Sequence, residues 1–427
     1  MTLSRIGALD CVAFFLGCLS PFYVNLVGRF HLAEMCAPIA IWGARGRLRV
    51  LKWRPIAGVM LLGIAWLLGQ VASDLYRGTP TQNLLRGWSS IFVFLLLIAT
   101  LATLLVNNVR RTYLALFGMA TGGLLLPLIE PSPYFDADPW KFGYGPPVAV
   151  LLVSWIGWNC RPEAKCARLY FVSVAALGMF SIFDHARSLG GFLVLTAIVM
   201  WLRQTRVGVK LSRSKVKLAH ILALSLVVCV GALFVLRGYE FAAGHDWLGA
   251  RAEQKYFSDE GNWGLIIGGR AEVISGVHAV LDSPLIGYGS WARDPGFKFR
   301  RYLTSLSQYG YRQPSELDEY MTQLDLIPTH STLLQAWVWS GILGAIFCAY
   351  ILVLMVRTGV YLVSWENELF VPSTLLLIWR SWDLFFSPFG SDMRFEWAIS
   401  IIIFVNIIHF SGSKRPQGKI VVRRSVI

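Results

Sequence analysis

Three side chains in this chain are of types that suit one kind of chemistry. They are Arg187 in "DHARSLGGFLVL", Arg270 near the head of "GRAEVISGVHAVLDSPLIGYG", and His330 in "PTHSTLLQAWVWSGILG". A guanidinium donates two parallel hydrogen bonds to phosphate oxygens and keeps its charge at any working pH. An imidazole titrates near neutrality and acts as a general base toward a hydroxyl. Two such arginines and one histidine on one side of a membrane would suit transfer of a group away from a lipid diphosphate. Each also has a plainer reading alone. An arginine at a helix end extends its head group to the interface, and that covers Arg187. Arg270 reads equally as a solvated residue of a surface helix, and His330 as an interfacial cap. Only convergence separates the two readings.

The elements that must bring them together are read from hydropathy. Of 427 residues, 55% are hydrophobic and 15% charged, and 17 are tryptophan, a composition outside the range of soluble domains. Crossing about 30 Å of hydrocarbon takes roughly 20 helical residues, and about twelve apolar runs are candidates. They lie at 7–28, 31–44, 55–73, 87–107, 113–131, 146–160, 168–186, 189–204, 218–237, 332–356, 368–388 and 393–411. The expected fold is an all-α integral membrane protein with one large extracytoplasmic loop that contains helices. Residues 1–236 hold nine spans, 237–329 the loop, 330–412 three more spans, and 413–427 a basic tail.

The net charge of +14 is distributed by topology. "RGRLRVLKWR" (45–54), "NNVRRTY" (107–113), "RPEAKCAR" (161–168) and "RQTRVGVKLSRSKVK" (203–217) fall in alternate connections, whereas "EPSPYFDADPWKFGYG" (130–145) is poor in Lys and Arg. That pattern predicts cytoplasmic termini, with anionic membrane lipid rather than nucleic acid as the partner of the basic clusters. Arg5 and the first apolar run lack a small-residue cleavage site and read as a first span rather than a signal peptide. The seven cysteines, at 11, 18, 36, 160, 166, 229 and 348, lie in or beside spans and suggest neither a disulfide framework nor a metal spacing.

On this topology Arg187, Arg270 and His330 all fall at the outer face. In the loop, Val273, Ile274, Val277 and Leu281 share one helical face with Arg270 at its start, and Pro284, Gly287 and Gly289 then end the helix. A loop this long reads as a lid or cradle on the outer surface. No carboxylate cluster in it suits a divalent ion, so no metal and no cofactor are expected. Gly341 and Gly344 are expected to let the tenth span pack closely on a neighbour beside His330. Asp10 and Glu34 are further polar residues within spans. Arg380 and Asp383, one turn apart, suggest a local pair with Arg394 nearby, and Arg380 is a fourth candidate for diphosphate binding.

"HSTLLQAWVWSG" (330–341) resembles the signature of the O-antigen ligase and polymerase family: His, then Asn or Ser, two variable residues, Leu, six variable residues, Gly. His330, Ser331, Leu334 and Gly341 fill its fixed positions. "GRAEVISGVHAVLDSPLIGYGSW" resembles that family's Arg-helix-Pro-Leu-x-Gly-x-Gly segment. The chain departs from the family at Ala186 and Ser188, where Ser-Arg-Gly often surrounds the arginine, and at Val273, often a tryptophan. The resemblance implies a GT-C-like, metal-independent, inverting glycosyltransferase of the bacterial inner membrane, working in lipopolysaccharide biosynthesis. Its donor would be an undecaprenyl-diphosphate-linked glycan, with Arg187, Arg270 and Arg380 on the diphosphate and His330 on the acceptor hydroxyl. Ser331 leans toward ligation to lipid A core, and polymerisation of an O-antigen or exopolysaccharide on the lipid carrier is the alternative that shares the motif. A lipid-glycan flippase is the alternative of a different class, and would call for an internal repeat and broken helices near mid-membrane. No repeat is visible in the sequence.

Overall fold

The computed structural model describes residues 7–26, 28–159, 167–204, 237–238, 241, 245, 272–294, 298–299, 326–327, 329–364 and 368–412. The 218–236 span, Arg270, most of the 237–329 loop, the 205–217 basic connection and the 413–427 tail lie outside the described residues.

The described chain is mostly helical. In order come α1 (Ala8–Leu19), strands β1 (Tyr23–Asn25) and β2 (Arg29–His31), α2 (Leu32–Gly43) and a 3-10 turn at Arg45–Lys52. Then follow α3 (Arg54–Arg77), α4 (Thr81–Leu105), α5 (Val109–Ile129), the short α6 (Pro133–Ala137), α7 (Gly145–Asn159), α8 (Ala167–Phe183) and α9 (Arg187–Gln204). After α9 come α10 (Glu272–Asp282), α11 (Thr332–Ser340), α12 (Ile342–Ser364), α13 (Phe370–Phe386) and α14 (Met393–Gly412). Among the described residues, Arg54–Arg77, Thr81–Leu105, Val109–Ile129 and Ile342–Leu362 are long and apolar enough to cross a membrane.

The bundle is built around α4 and α14, whose central turns are apolar and largely buried, as central helices must be. Leu97, Ile98, Leu101 and Leu104 of α4 and Ile399, Ile402, Ile403 and Phe404 of α14 are all solvent-inaccessible or nearly so. By contrast α3 turns a stripe outward, with Leu61, Leu68 and Leu75 all exposed. Local signals fit these bounds. Pro55 occupies the first turn of α3, and the Asn108 side chain accepts from Arg111 N at 2.9 Å at the head of α5.

Two expected spans are reorganised. In place of a continuous helix over 7–28, α1 ends at Leu19 and the chain makes an antiparallel hairpin pairing Tyr23 with His31 and Asn25 with Arg29. The approach of α1 to α5 explains why a 12-residue helix holds its place. A Cβ on Gly118 would lie 2.0 Å from Phe14 O, and one on Gly122 2.1 Å from Cys18 O. This small-xxx-small pair lets the two backbones touch.

The second change is larger. The 332–356 span is not one helix but two, α11 and α12, joined at Gly341. In a straight helix Ala336 and Gly344 would be about 12 Å apart along the axis. Here a Cβ on Gly344 would meet Ala336 O at 2.2 Å, and Cys348 Sγ lies 4.0 Å from Thr332 O. The chain has reversed, and α11 lies antiparallel beside the first half of α12.

Candidate functional site

The reversal decides where His330 sits. Half-buried, it precedes α11 and lies beside the middle of α12, not at that helix's start. Ser331 caps α11, its hydroxyl accepting from Leu334 N at 3.2 Å and donating to Leu384 O at 2.9 Å. Thr332 Oγ1 donates to Ser387 O at 2.9 Å, and Phe389 N donates to Gln335 Oε1 at 2.6 Å. The first turn of α11 thus meets the end of α13, where final-turn carbonyls have no partner within their own helix.

From its first turn to its other end α11 is held by the loop. Leu334 packs on Gly276 of α10, where a Cβ would lie 3.2 Å from its Cδ1. The segment after α10 crosses the Gly341 corner. Trp337 Nε1 donates to Pro284 O at 2.8 Å, Ile342 N to Leu285 O at 3.1 Å, Tyr288 N to Val338 O at 2.7 Å and Gly289 N to Trp339 O at 3.0 Å. Gly341 adopts φ 63°, ψ −153°, a region essentially reserved for glycine, and a Cβ there would lie 2.0 Å from Leu285 O. The expectation that Gly341 packs one continuous helix on a neighbour is therefore corrected: it turns the chain and admits the loop backbone. Gly344 keeps a packing role, against α11.

A buried polar cluster at the end of α3 secures this crossing. Asp74 accepts from Ser290 N (2.6 Å), Ser290 Oγ (2.8 Å), Trp88 Nε1 (2.8 Å) and Gln70 Nε2 (3.3 Å). Gln70 also accepts from Ser340 Oγ at 2.5 Å, and Ser340 accepts from Trp66 Nε1 at 2.9 Å. One turn beyond, Arg77 donates to Gly287 O (2.9 Å) and Ser283 Oγ (2.7 Å). Sequence reasoning missed this cluster. The available signal was Gln70 and Asp74, two polar residues four apart on one face of an apolar helix, with Asp74 one residue beyond the expected 55–73 span.

At the solvent side of the same loop, Asp282 takes hydrogen bonds from Lys298 and from the Tyr288 hydroxyl. The Lys298 bond, then the Tyr288 bond, holds its carboxyl below the usual range, while burial and then the Asp282 bond push the Tyr288 hydroxyl up.

The other expected residues are placed as follows. Arg187 opens α9, directly after the turn at His185. Phe192, five residues on, packs against Trp379 and Trp382 of α13 at 5.8 and 5.9 Å. Phe192 thus sets the first turns of α9 beside the C-terminal half of α13, whose end the first turn of α11 meets. Arg270 lies outside the described residues, but α10 begins two residues later and runs parallel to α11, Gly276 meeting Leu334 and Pro284 meeting Trp337. Its first turn therefore lies toward the His330 end of α11.

Arg380 is 1% exposed and pairs with Asp383 at 2.9 Å, as the one-turn spacing suggests, and with Glu396 of α14 at 2.8 Å. Its charge is matched inside the protein. Arg394 does not add charge to that pair: it turns to Glu34 of α2, at 2.7 Å, and donates to Arg29 O at 2.6 Å. Asp10 of α1 pairs with Arg111 of α5 at 2.9 Å.

No family model matches the chain, and neither a curated protein nor a solved structure matches it.

Proposed function

We propose that the protein is a membrane-embedded glycosyltransferase that moves a glycan from undecaprenyl diphosphate to an acceptor hydroxyl at the periplasmic face of a bacterial inner membrane. In this reading it has about twelve spans and cytoplasmic termini. The observation that supports it is the coherence of the motif around His330. Ser331 caps the helix that follows the imidazole, Leu334 seats α10 on that helix, and Gly341 makes the corner on which the loop rests. Three residues chosen by sequence spacing thus share one structural task, which is to hold His330 between the loop and the end of α13.

In the reaction the acceptor hydroxyl attacks the anomeric carbon with inversion, its proton passes to His330, and lipid diphosphate departs. Arg187 and Arg270 bind the diphosphate oxygens, with the positive N-terminal end of α11 favouring the same charge. Arg380 would join them only by releasing Asp383 or Glu396, which makes it the weakest of the three. Transfer to lipid A core is the preferred outcome, and extension of the glycan on its carrier is the alternative.

The test is reconstitution of purified protein with lipid-linked oligosaccharide, with and without lipid A core, the products being separated by size. His330→Ala should lower turnover by about 10²–10⁴-fold, the usual range for loss of a general base. Normal turnover in that variant would end the catalytic reading. The helix reversal at Gly341 favours a second reading, because transporters bind substrates at broken helices. Acceptor-independent movement of the lipid-linked glycan across proteoliposomes, unaffected by His330→Ala, would select it.

A further inference from the structure

The loop helix α10 turns an unexpected face outward. It docks on α11 through small residues, with Ser275, Gly276, Ala279 and Val280 buried. The apolar stripe Val277, Leu281 and Leu285 points away, and Leu281 and Leu285 are each 70% exposed. Soluble proteins rarely leave such a stripe unpartnered.

Its surroundings say what covers it. α10 runs in the same sense as α11, Gly276 meeting Leu334 and Pro284 meeting Trp337, and so in the opposite sense to α12. Leu285 O accepts from Ile342 N at 3.1 Å, joining the stripe to the outward side of α12, where Ile346, Val353 and Val356 are exposed. On the other flank Arg77 binds Gly287 and Ser283, placing the stripe next to the outward leucines of α3. Both α12 and α3 are helices able to cross a membrane. His278 is half-buried on the helix, and among the described residues charged groups gather at the C-terminal end of α10, where Asp282, Lys298, Arg77 and the Tyr288 ring meet, Arg77 lying 4.6 Å from the ring centroid. Apolar residues along the helix, with cationic and tyrosine groups at one end, are the pattern of a segment seated in a leaflet with its polar end at head-group level.

We infer that the outward face of α10, with Leu285 and Ile286, is a lipid-contact surface, so that this part of the loop is immersed in the bilayer instead of lying over the protein as a water-facing lid. The inference stands whether the chain is a glycosyltransferase or a transporter.

The test uses the unmodified chain in vesicles of phosphatidylethanolamine and phosphatidylglycerol. One sample carries a phospholipid with a diazirine in its acyl chain, and a second receives a water-soluble carbene precursor. Cleavage after Arg270 and Arg293 releases the peptide that holds α10. The lipid probe is expected to label Val277, Leu281 and Leu285 at a yield within about threefold of the exposed α12 residues, with the aqueous reagent modifying them little. Strong aqueous labelling there would overturn the inference in favour of a water-facing lid. Protection from both reagents would overturn it in favour of cover by protein.

Discussion

Two buried polar clusters occupy the same apolar bundle and are built on opposite principles. At the end of α3, one carboxylate, Asp74, is satisfied entirely by neutral donors from the loop, α3 and α4. At the junction of α2, α13 and α14, charge is met by charge, Arg394 by Glu34 and Arg380 by Asp383 and Glu396. The first joins residues far apart in sequence through many weak, directional bonds and so fixes the position of a loop. The second holds helices together but exposes the fold to a large penalty if one partner is lost, because the remaining charge stays buried.

The largest effect should therefore come from the ionic cluster. Arg394→Met leaves Glu34 unpaired and should destabilise the protein by about 3–5 kcal/mol, whereas Arg394→Met with Glu34→Met should recover most of that loss. Thermal unfolding in detergent measures both. Equal destabilisation in the single and double variants would show that the bond to Arg29 O, not charge pairing, is what matters.

Next comes the corner. Gly341→Ala forces a side chain into a glycine-only conformation and against Leu285 O, and should weaken docking of the loop by about 2–4 kcal/mol. Hydrogen exchange should rise in residues 283–290 while α4 and α14 stay protected. Uniform loss of protection would mean that the corner supports the whole bundle, and the comparison would collapse.

Asp74→Asn should be milder, about 1–3 kcal/mol, since it retains one acceptor oxygen but turns an amide toward donors. The same exchange experiment should again place the change in residues 283–290. A change of similar size in α2 and α14 would make the two clusters one network.

The smallest effect is pH-dependent. Asp282 has a lowered folded-state pKa, so its contribution is complete above the ordinary carboxylate value of about 4 and is lost as pH falls through the folded value. Opening of residues 282–290, taken from exchange after correction for the intrinsic pH dependence of amides, should be flat between neutrality and about pH 5 and rise only in more acid solution, and Asp282→Asn should remove that rise. A rise near neutrality would assign it to another group.

Much of the helical framework was legible because apolar runs have few alternatives. The expected 55–73, 87–107 and 113–131 spans appear as α3, α4 and α5, with ends shifted by several residues where polar side chains continue a helix past its apolar part. Asp74 and Arg77 lie in such an extension. The Arg380–Asp383 pair was legible because it is local. The β-hairpin after α1 and the reversal at Gly341 were not, because hydropathy measures burial and ignores direction. A helix that turns back on itself is as apolar as one that continues. The partners of Arg394 and Asp10 were hidden for a related reason, since each lies more than 100 residues away in sequence.

By itself, then, the sequence determined that this chain is a helical membrane protein and where its charged and titratable side chains stand along the chain, since composition and side-chain type are local properties. Only the tertiary structure decided that His330 stands at the base of a reversed helix, that Arg394 turns to Glu34, and that the loop is held by Asp74. These depend on contacts between segments far apart in sequence, and they form only when the backbone geometry at Gly341, Gly287 and Gly289 lets the loop and the corner meet.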